Sequence, residues 1–321
     1  MNILILSAGT RNKIVQYFKN EIGNSGKVIA TDMSELAPAI YEADEFYIVP
    51  AMSDPKYLDI ILDICKKEKV DALFTLIDPE ISLIAKNKKR FLDIGTVPLV
   101  SEYEQVELAF DKYKMFCYLK ENGFKTAKSY VDKNEFYTDL NDGKINFPVF
   151  VKPVKGSASI NISKVNSKKE INLLFDLYDN LIIQEFLNGQ EIGADVYIDP
   201  ISKKVVSIFT KEKIKMRAGE TDKARSFKDK KLFELISRLA EKIGYQYMID
   251  IDIFKIGNDY YISEINPRFG GGYPHAYEVG VNIPKMIINN MNNEINQTQI
   301  GNYSENIYMM KYNEIKILRS N

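Results

Sequence analysis

The chain alternates between apolar and polar residues most regularly in the segment MIDIDIF, Met248–Phe254. Three isoleucines there share one side of a predicted strand, while Asp250 and Asp252 share the other side. A second strand is predicted in YYISEIN, Tyr260–Asn266, after a cluster of turn residues at Gly257–Asp259. We therefore expect a β-hairpin with one apolar face and one acidic face.

The length of the connecting loop decides which side chains of this hairpin meet. A three-residue loop pairs Ile256 with Tyr260 and places Asp252 opposite Glu264, where directly opposed residues share a face. A two-residue loop would shift the register by one residue and turn Asp252 away, unless a bulge compensates. Glu264 and Asn266 are two residues apart on one strand, so they share a face in either case. A metal site on this face therefore needs a loop with an odd number of residues, or a bulge.

The first hundred residues alternate short apolar segments with segments of helical spacing, which predicts a parallel sheet covered by helices. The predicted strands are Ile3–Leu6, Lys27–Ala30, Phe46–Val49 and Asp71–Leu76, and the predicted helices are Asn12–Asn20 and Leu58–Lys67. Open sheets of this kind bind ligands at the carboxyl ends of their strands, so Arg11 and Asp32 are candidate substrate contacts. Helix capping and surface pairing are the alternative for both residues.

The rest of the chain mixes helices and strands. The predicted elements are a helix near Ser101–Asn122, strands Val149–Lys152 and Ile160–Val165, a helix at Lys168–Tyr178, strands Leu181–Glu185 and Val205–Thr210, and a helix at Lys230–Ile243. The small-residue loop Gly156–Ser159 could fold its backbone N–H groups over phosphate, or form a simple hairpin turn. The charged segment Lys211–Arg225 has few apolar residues, so we expect a mobile loop there.

Composition narrows the class of protein. The chain has 321 residues with a formal net charge of −1, so nothing attracts it globally to nucleic acid or to anionic membranes. No apolar run approaches the roughly 20 residues that span a bilayer. The first strand begins at once, which leaves no room for a signal peptide. Cys65 and Cys117 lie in helix-like patterns, which favours buried thiols and a reducing compartment. We predict a cytoplasmic protein that binds neither nucleic acid nor membrane.

The acidic hairpin carries the strongest chemical signal. Carboxylate and amide oxygens suit a hard cation such as Mg²⁺ (or Mn²⁺), which usually reaches a protein together with nucleotide phosphates. Arg268 follows Asn266 closely, where a planar cation could meet phosphate or an acyl oxygen. Lys152, at the end of a predicted strand, is a candidate point charge for phosphate. An edge hairpin with a solvated acidic face is the alternative.

Six short motifs occur in an order that resembles the ATP-grasp superfamily, and in particular short stand-alone proteins related to the carbamoyl-phosphate synthase large subunit. They are Lys112, Lys152 in VKP, QEF at Gln184–Phe186, GQE at Gly189–Glu191, Asp252, and EINPR at Glu264–Arg268. The resemblance implies an α/β N-terminal parallel-sheet (pre-ATP-grasp) domain over residues 1–100, followed by a two-lobed α+β ATP-grasp fold. Its small lobe would span residues 101–184, and its C-terminal lobe, with the metal site, residues 185–321.

The resemblance also implies roles in nucleotide binding. Lys112 and Lys152 would contact phosphates, with Lys114 as the rival of Lys112. The loop residues Gly156, Ser157 and Ser159 would cover the triphosphate. The hinge residues Glu185, Phe186 and Leu187 would hold the adenine, and Glu191 would accept hydrogen bonds from the ribose hydroxyls.

The remaining implied roles concern metal binding and catalysis. Asp252, Glu264 and Asn266 would ligate two Mg²⁺ ions, with Glu264 bridging them and Asp250 competing with Asp252. Arg268 would stabilise the transferring phosphoryl group. Arg217, in the charged loop, would contact substrate carboxylate or phosphate as that loop closes, with Arg225 as a further candidate. A solvated loop charge is the alternative for both. Apart from the resemblance, His275 is expected to be a hydrogen-bonded structural residue, with contact to substrate as the alternative.

The function implied is an ATP- and Mg²⁺-dependent ligase that activates a small carboxylate as an acyl-phosphate and joins it to an amine. The cofactors would be ATP and Mg²⁺, and the partners small-molecule carboxylate and amine substrates. One alternative is an enzyme that forms acyl- or carbamoyl-phosphate from bicarbonate. The other is a non-catalytic nucleotide-binding regulatory module, although the complete set of Glu264, Asn266 and Arg268 argues against it. We leave open whether the chain forms a homodimer.

Overall fold

A computed structural model of the protein describes residues 1–156 and 162–318. In this part of the chain the strands form three sheets of five, four and six strands. The three sheets follow one another along the sequence, and the domain boundaries expected at residues 100 and 184 stay predictions. Among the described residues, no helix combines the length and the apolar character needed to cross a membrane.

The first sheet is parallel, with the strand order β3-β2-β1-β4-β5. Its elements are β1 (Asn2–Leu6), α1 (Asn12–Ile22), β2 (Lys27–Asp32), β3 (Glu45–Ile48), α2 (Tyr57–Glu68), β4 (Ala72–Thr75), α3 (Asp78–Lys86), α4 (Lys88–Leu92) and β5 (Val97–Pro98). Helices cover both faces: Ile3 and Ile5 of β1 pack in one core with α1, whereas Leu4 and Leu6 pack in another with α2 and α3. The expected α/β parallel sheet is present.

The second sheet is antiparallel, with the strand order β6-β9-β7-β8. This region contains α5 (Tyr103–Phe110), α6 (Lys112–Glu121), β6 (Ser129–Tyr130), α7 (Lys133–Asn141), β7 (Val149–Pro153), β8 (Ser163–Val165), α8 (Lys168–Leu177) and β9 (Leu181–Glu185). The single helix expected near Ser101–Asn122 is wrong. Asp111 adopts an extended backbone conformation and accepts a hydrogen bond from Lys114 N at 3.0 Å, so it caps a new helix that begins at Lys112.

The third sheet is antiparallel, with the strand order β14-β13-β10-β11-β12-β15. This region contains β10 (Gln190–Ile198), β11 (Val205–Arg217), β12 (Glu220–Phe227), α9 (Lys230–Ile243), β13 (Tyr247–Ile256), β14 (Asp259–Asn266), α10 (Tyr273–Glu278), α11 (Ile283–Met291) and β15 (Tyr308–Met310). One face of the sheet is apolar and packs against α9. The other face carries the charged residues described below.

The mobile loop expected at Lys211–Arg225 is wrong, because this segment forms most of the β11–β12 hairpin. Ala218 and Gly219 make the turn, and both have positive φ angles, of 50° and 76°. The sequence does not look like a strand because two alternate residues of β11, Lys211 and Lys213, are charged side chains that turn inward. Lys211 and Lys213 are buried there and form ion pairs with acidic residues of neighbouring strands.

The hairpin of β13 and β14 has the expected pairing. The loop has two residues, since Ile256 pairs with Asp259, so of the two alternatives, an odd loop or a bulge, the structure has the bulge. A bulge at Ser263 adds one residue to β14 and shifts the register back. Asp252 consequently lies opposite Glu264.

Candidate functional site

A cleft of about 550 Å³ opens where the three sheets meet. The predicted site residues that line it are Lys112, Lys152, Gly156, Glu185, Leu187, Glu191, Asp252, Glu264, Asn266 and Arg268. They come from the start of α6, from β7 and β9, and from the charged face of the six-stranded sheet. The fold thus brings most of the predicted side chains to one volume.

The floor of the cleft is the charged face of the six-stranded sheet. Two rows of residues cross β10, β13 and β14: Asp195, Asp250 and Asn266 in the first row, and Gly193, Asp252 and Glu264 in the second. Residues that are directly opposed in antiparallel strands share a face, so these side chains project together. The register, rather than any loop conformation, holds the acidic groups in place.

Two buried lysines of β11 neutralise part of this acidic floor. The Nζ atom of Lys213 lies 2.9 Å from Glu191 and 2.5 Å from Asp252, and Lys211 pairs with Asp195. Both lysine stems pass over Gly193, where an added Cβ would lie only 3.0–3.2 Å from them. Burial alone would lower the pKa of Lys213, but the carboxylates of Asp252 and Glu191 raise it above its ordinary value. This amine therefore stays protonated.

Arg268 connects the floor to the N-terminal domain. Its guanidinium makes a two-point ion pair with Asp78, with Nε–Oδ1 and Nη2–Oδ2 distances of 3.0 and 3.2 Å, and lies 3.8 Å from Asp250. Burial would lower the pKa of Arg268, but the two carboxylates raise it. Burial raises the pKa of Asp250, and repulsion by Asp252 raises it further. Asp78 is the first residue of α3, so the parallel sheet contributes directly to the cleft.

Two lysine amines face the floor from the opposite wall, one buried (Lys152) and one half-buried (Lys112). Lys152 is only 8% exposed, and no hydrogen bond or ion pair of its amine is present within residues 1–156 and 162–318. The Nζ atom of Lys112 donates to the carbonyl of Gly156 at 2.6 Å. Burial lowers the pKa of both lysines, whereas the charge of Glu264 opposes this effect. An anion bound between them would stabilise both charges. Lys114 is exposed on the same helix, which separates it from Lys112.

The predicted hinge lies at the end of β9. The backbone N–H of Glu185 donates to the carbonyl of Lys128 at 2.8 Å, and the Glu185 carboxylate accepts from the Lys128 N–H at 3.0 Å. The ring of Phe186 packs 5.6 Å from that of Phe150, while Leu187 is buried against the cleft. These contacts fix the strand end that connects the second sheet to the third.

Other predicted residues stand apart from this arrangement. Arg217 is half exposed near the end of β11 and pairs with Asp222 at 3.1 Å, and Arg225 pairs with Glu212 at 2.6 Å. Ser157 and Ser159 lie outside the described residues. Asp32 accepts hydrogen bonds from the backbone of the loops at Gly9 and Ser34, at 2.8 and 3.0 Å.

His275 is buried below the glycine turn that follows Arg268. Its Nε2 atom lies 3.0 Å from the carbonyl oxygen of Ile307, and its ring meets the edge of Phe209. Burial, together with the nearby charge of Lys211, lowers the pKa of His275 to about 4. The ring is therefore neutral near pH 7.

Among the described residues, four acidic or basic side chains of the cleft were not singled out from the sequence: Asp78, Lys155, Lys213 and Glu220. Asp78 follows β4 at the carboxyl edge of the parallel sheet, the position where such sheets place ligand contacts. The alternation of lysines in Lys211–Lys213 was a second usable signal. Glu220 carries no local signal, because its position depends on the turn of the β11–β12 hairpin.

The oxygen atoms on the floor of the cleft can be compared with the ligands that Mg²⁺ prefers. Among the described residues, no group of three or more His, Cys, Asp and Glu side chains is arranged to hold a metal. The second row instead offers two carboxylates, Asp252 and Glu264, with the amide oxygen of Asn266 beside them. Mg²⁺ commonly takes one or two carboxylates and completes its shell with water and nucleotide phosphates. The donors fit Mg²⁺ that arrives with a nucleotide.

Comparison with protein-family models gives two matches. A model described as "ATP-grasp domain" matches residues 109–272, which is just over half of the chain. A model described as "PylC-like, N-terminal domain" matches residues 3–100.

Individual relatives match this chain only in part. A carbamoyl-phosphate synthase of Methanobrevibacter smithii is 27% identical over 201 residues, covering 61% of this chain and 52% of the relative. A D-alanine–D-alanine ligase of Flavobacterium johnsoniae is 38% identical over 109 residues, covering 32% of this chain and 34% of the relative. The chain thus spans about half the length of the first of these relatives and a third of the second.

Among solved structures, the biotin carboxylase domain of the Hydrogenobacter thermophilus 2-oxoglutarate carboxylase superposes with a TM-score of 0.74. The match covers 96% of this chain and 73% of that domain, at 18% sequence identity. At this identity the likeness establishes the fold, and the predicted fold class is confirmed.

Proposed function

Because the chain belongs to the ATP-grasp family, we propose that it is an ATP-dependent ligase that activates a small carboxylate and joins it to an amine. One observation carries the proposal. Two amines, of half-buried Lys112 and buried Lys152, face an acidic floor on which the strand register aligns Asp252, Glu264 and Asn266. This arrangement offers cations for phosphates on one wall and oxygen donors for a metal on the other.

The nucleotide would lie along the cleft between these walls. Its triphosphate is held by Lys112 and Lys152, whose charges gain from a bound anion. Its adenine lies against the hinge of Glu185, Phe186 and Leu187, and Glu191 accepts hydrogen bonds from the ribose. Mg²⁺ or Mn²⁺, held by Asp252, Glu264 and Asn266, would supply charge neutralisation at the γ-phosphate.

The chemistry proceeds in two displacements. An oxygen of the substrate carboxylate attacks the γ-phosphorus, the bond from that phosphorus to ADP breaks, and ADP leaves with the electron pair. Arg268 lies beside the floor, where its fixed guanidinium stabilises the negative charge of the transferring group. An amine then attacks the acyl carbon of the acyl-phosphate, phosphate leaves, and the amine loses a proton. The products are an amide, ADP and phosphate.

A phosphate-release assay tests this proposal and separates it from its rivals. The protein is incubated with MgATP, pools of small carboxylic acids and hydroxylamine, an amine that converts acyl-phosphates to hydroxamates. A ligase forms hydroxamate and releases phosphate only when an acid is present. Release with bicarbonate alone would indicate a carbamoyl- or acyl-phosphate-forming enzyme. Binding of MgATP without release in any pool would indicate a regulatory module and overturn the proposal.

A further inference from the structure

A second group of charges occupies the cleft where the N-terminal sheet meets the β11–β12 hairpin. Arg11, in the loop after β1, pairs with Glu220 at 2.7 Å. The other carboxylate oxygen of Glu220 lies 2.6 Å from the amine of Lys311. Glu220 is therefore shared by two cations that come from opposite ends of the chain. No role in nucleotide binding or phosphoryl transfer has been given to these residues.

The backbone is shaped around this group. Gly271 passes so close that an added Cβ would lie 2.6 Å from an Arg11 nitrogen and 2.8 Å from the carboxyl carbon of Glu220. The tight turn between β11 and β12 sets Glu220 as the first residue of its strand, paired with Arg217. Turn, glycine and salt bridges together hold one carboxylate and one guanidinium facing the cleft.

This group lies next to the ion pair of Arg268 with Asp78. Burial lowers the pKa of Arg11, and the positive charge of Arg268 lowers it further, whereas Glu220, Asp250 and Asp78 oppose the effect. The geometry agrees, because Arg11 and Arg268 both line the cleft and Gly271, three residues after Arg268, lies against Arg11. Two arginines and two carboxylates from four separate segments face one end of the cleft.

We propose that this end of the cleft binds the carboxylate substrate, and that this substrate is a small amino acid in its zwitterionic form. Its carboxylate is received by Arg11 and Arg268, and its ammonium group by Glu220. The proposal rests on the ligase activity proposed above and names the substrate class of the same site.

The pairing of Glu220 favours a zwitterion over other acids, because Glu220 contacts two cations in this structure. When a carboxylate takes Arg11, Glu220 keeps Lys311 and gains the incoming ammonium group, so no buried charge is left unpaired. A simple monocarboxylate would also bind Arg11, but it would leave Glu220 with Lys311 alone, one cation fewer than in the free protein. A dicarboxylate would bring a second negative charge beside Glu220 and Asp78, which like-charge repulsion disfavours.

The test compares matched acids in the hydroxamate assay. Each of a set of small α-amino acids is assayed beside its N-acetyl derivative, its deaminated counterpart and a dicarboxylate of similar size. We expect hydroxamate only from amino acids that carry a free ammonium group. If N-acetylated or deaminated acids serve as well, or if a dicarboxylate is preferred, the zwitterion proposal is overturned while the ligase proposal stands. If no acid serves, both fall.

Two matched variants test whether Glu220 binds the ammonium group of the substrate. Glu220→Gln is expected to raise the KM for the amino acid by ~10–100-fold, the range for losing a hydrogen bond to a charged group. The affinity for MgADP and the melting temperature should change little. Glu212→Gln removes a carboxylate from the same hairpin that pairs with Arg225 outside the cleft, and its KM should match the wild type.

The same two variants can contradict the proposed contact between Glu220 and the ammonium group. An equal KM in Glu220→Gln and Glu212→Gln, with both variants folded and binding MgADP, would show that Glu220 does not receive the ammonium group. Should Glu220→Gln melt early, Glu220→Asp keeps the charge and shortens the reach. It should then show a raised KM with a normal melting temperature, and an unchanged KM would overturn the assignment.

Discussion

The two faces of the six-stranded sheet are made by the same strands but have opposite compositions. On one face Ile192, Ile249 and Ile251 are fully buried in an apolar core with α9. On the other face Asp195, Lys211 and their neighbours bury charges that would cost stability if they were alone. Strand alternation separates the two tasks residue by residue. The apolar face stabilises the fold, and the charged face is available for chemistry.

On the charged face, the buried charges are compensated by ion pairs and not by contact with solvent. Lys211 with Asp195, and Lys213 with Asp252 and Glu191, form ion pairs inside the sheet. Such pairs add little net stability, but breaking one leaves a buried charge without a partner. Substitutions on the two faces should therefore differ in the property they affect, activity or stability, as well as in the size of the effect.

The largest effect is expected from Glu264→Gln, which removes a charge from the chemical face and keeps the shape of the side chain. We expect hydroxamate formation to fall by ~10³-fold or more, equivalent to about 4 kcal/mol of barrier. The melting temperature should stay near that of the wild type, because no apolar packing is lost. Glu212→Gln is the matched control and should retain activity. Near-normal activity of Glu264→Gln with MgATP would remove Glu264 from the metal site.

The next effect tests whether pairing holds the charged face together. Lys211→Met should lower the free energy of unfolding by about 3–5 kcal/mol, because Asp195 is left buried and unpaired. The double variant Lys211→Met/Asp195→Leu should regain most of this loss. Urea unfolding of the two variants measures the difference. If the double variant is as unstable as the single variant, the cost does not arise from the unpaired carboxylate.

A substitution on the apolar face should reduce stability without affecting nucleotide binding. Ile251→Ala should lower the free energy of unfolding by about 3 kcal/mol, through lost burial and a cavity against α9. Well below the melting temperature, the affinity for MgADP should be unchanged, since the side chain points away from the cleft. Urea unfolding and calorimetric titration check the two halves of this prediction. A large loss of MgADP affinity in the folded variant would contradict the separation of the faces.

The smallest effect concerns Asp199, a carboxylate that follows β10 and serves structure alone. Burial would raise its pKa, but hydrogen bonds from Ser202, Asn290 and Asn296 lower the pKa to about 2. An unfolded aspartate titrates at the ordinary value of 3.8. A lowered folded pKa contributes stability above pH 4, and this contribution is lost as pH falls from about 4 to 2.

The lowering of the Asp199 pKa from 3.8 to about 2 corresponds to about 2 kcal/mol in the free energy of unfolding. Asp199→Asn should flatten the acid limb of a plot of stability against pH between 4 and 2. Thermal melts across this range compare the variant with the wild type. Parallel curves for the two proteins would show that Asp199 is not responsible.

The sequence was informative where local pattern alone decides structure. Strict alternation identified both strands of the β13–β14 hairpin, and their pairing of Asp252 with Glu264 is present. The choice between an odd loop and a bulge stayed open, because the bulge at Ser263 depends on how two strands fit together. A loop length read from turn residues contains no such information.

Elsewhere the structure depends on partners that are distant in the sequence. The β11–β12 hairpin looked like a loop because the acids that pair with Lys211 and Lys213 lie on other strands. Asp78 and Arg11 enter the cleft only when the N-terminal sheet packs against the third sheet. The roles assigned to individual site residues remain predictions.

Isotope transfer tests the proposed activation of a carboxylate most directly. A pool of small amino acids labelled with ¹⁸O in their carboxyl groups is incubated with the protein, MgATP and hydroxylamine, and the released phosphate is analysed by mass spectrometry. Attack of a carboxylate oxygen on the γ-phosphorus carries that oxygen into the acyl-phosphate, so we expect one ¹⁸O atom in each phosphate released. Phosphate without label would mean that water attacks ATP, and would contradict acyl-phosphate formation.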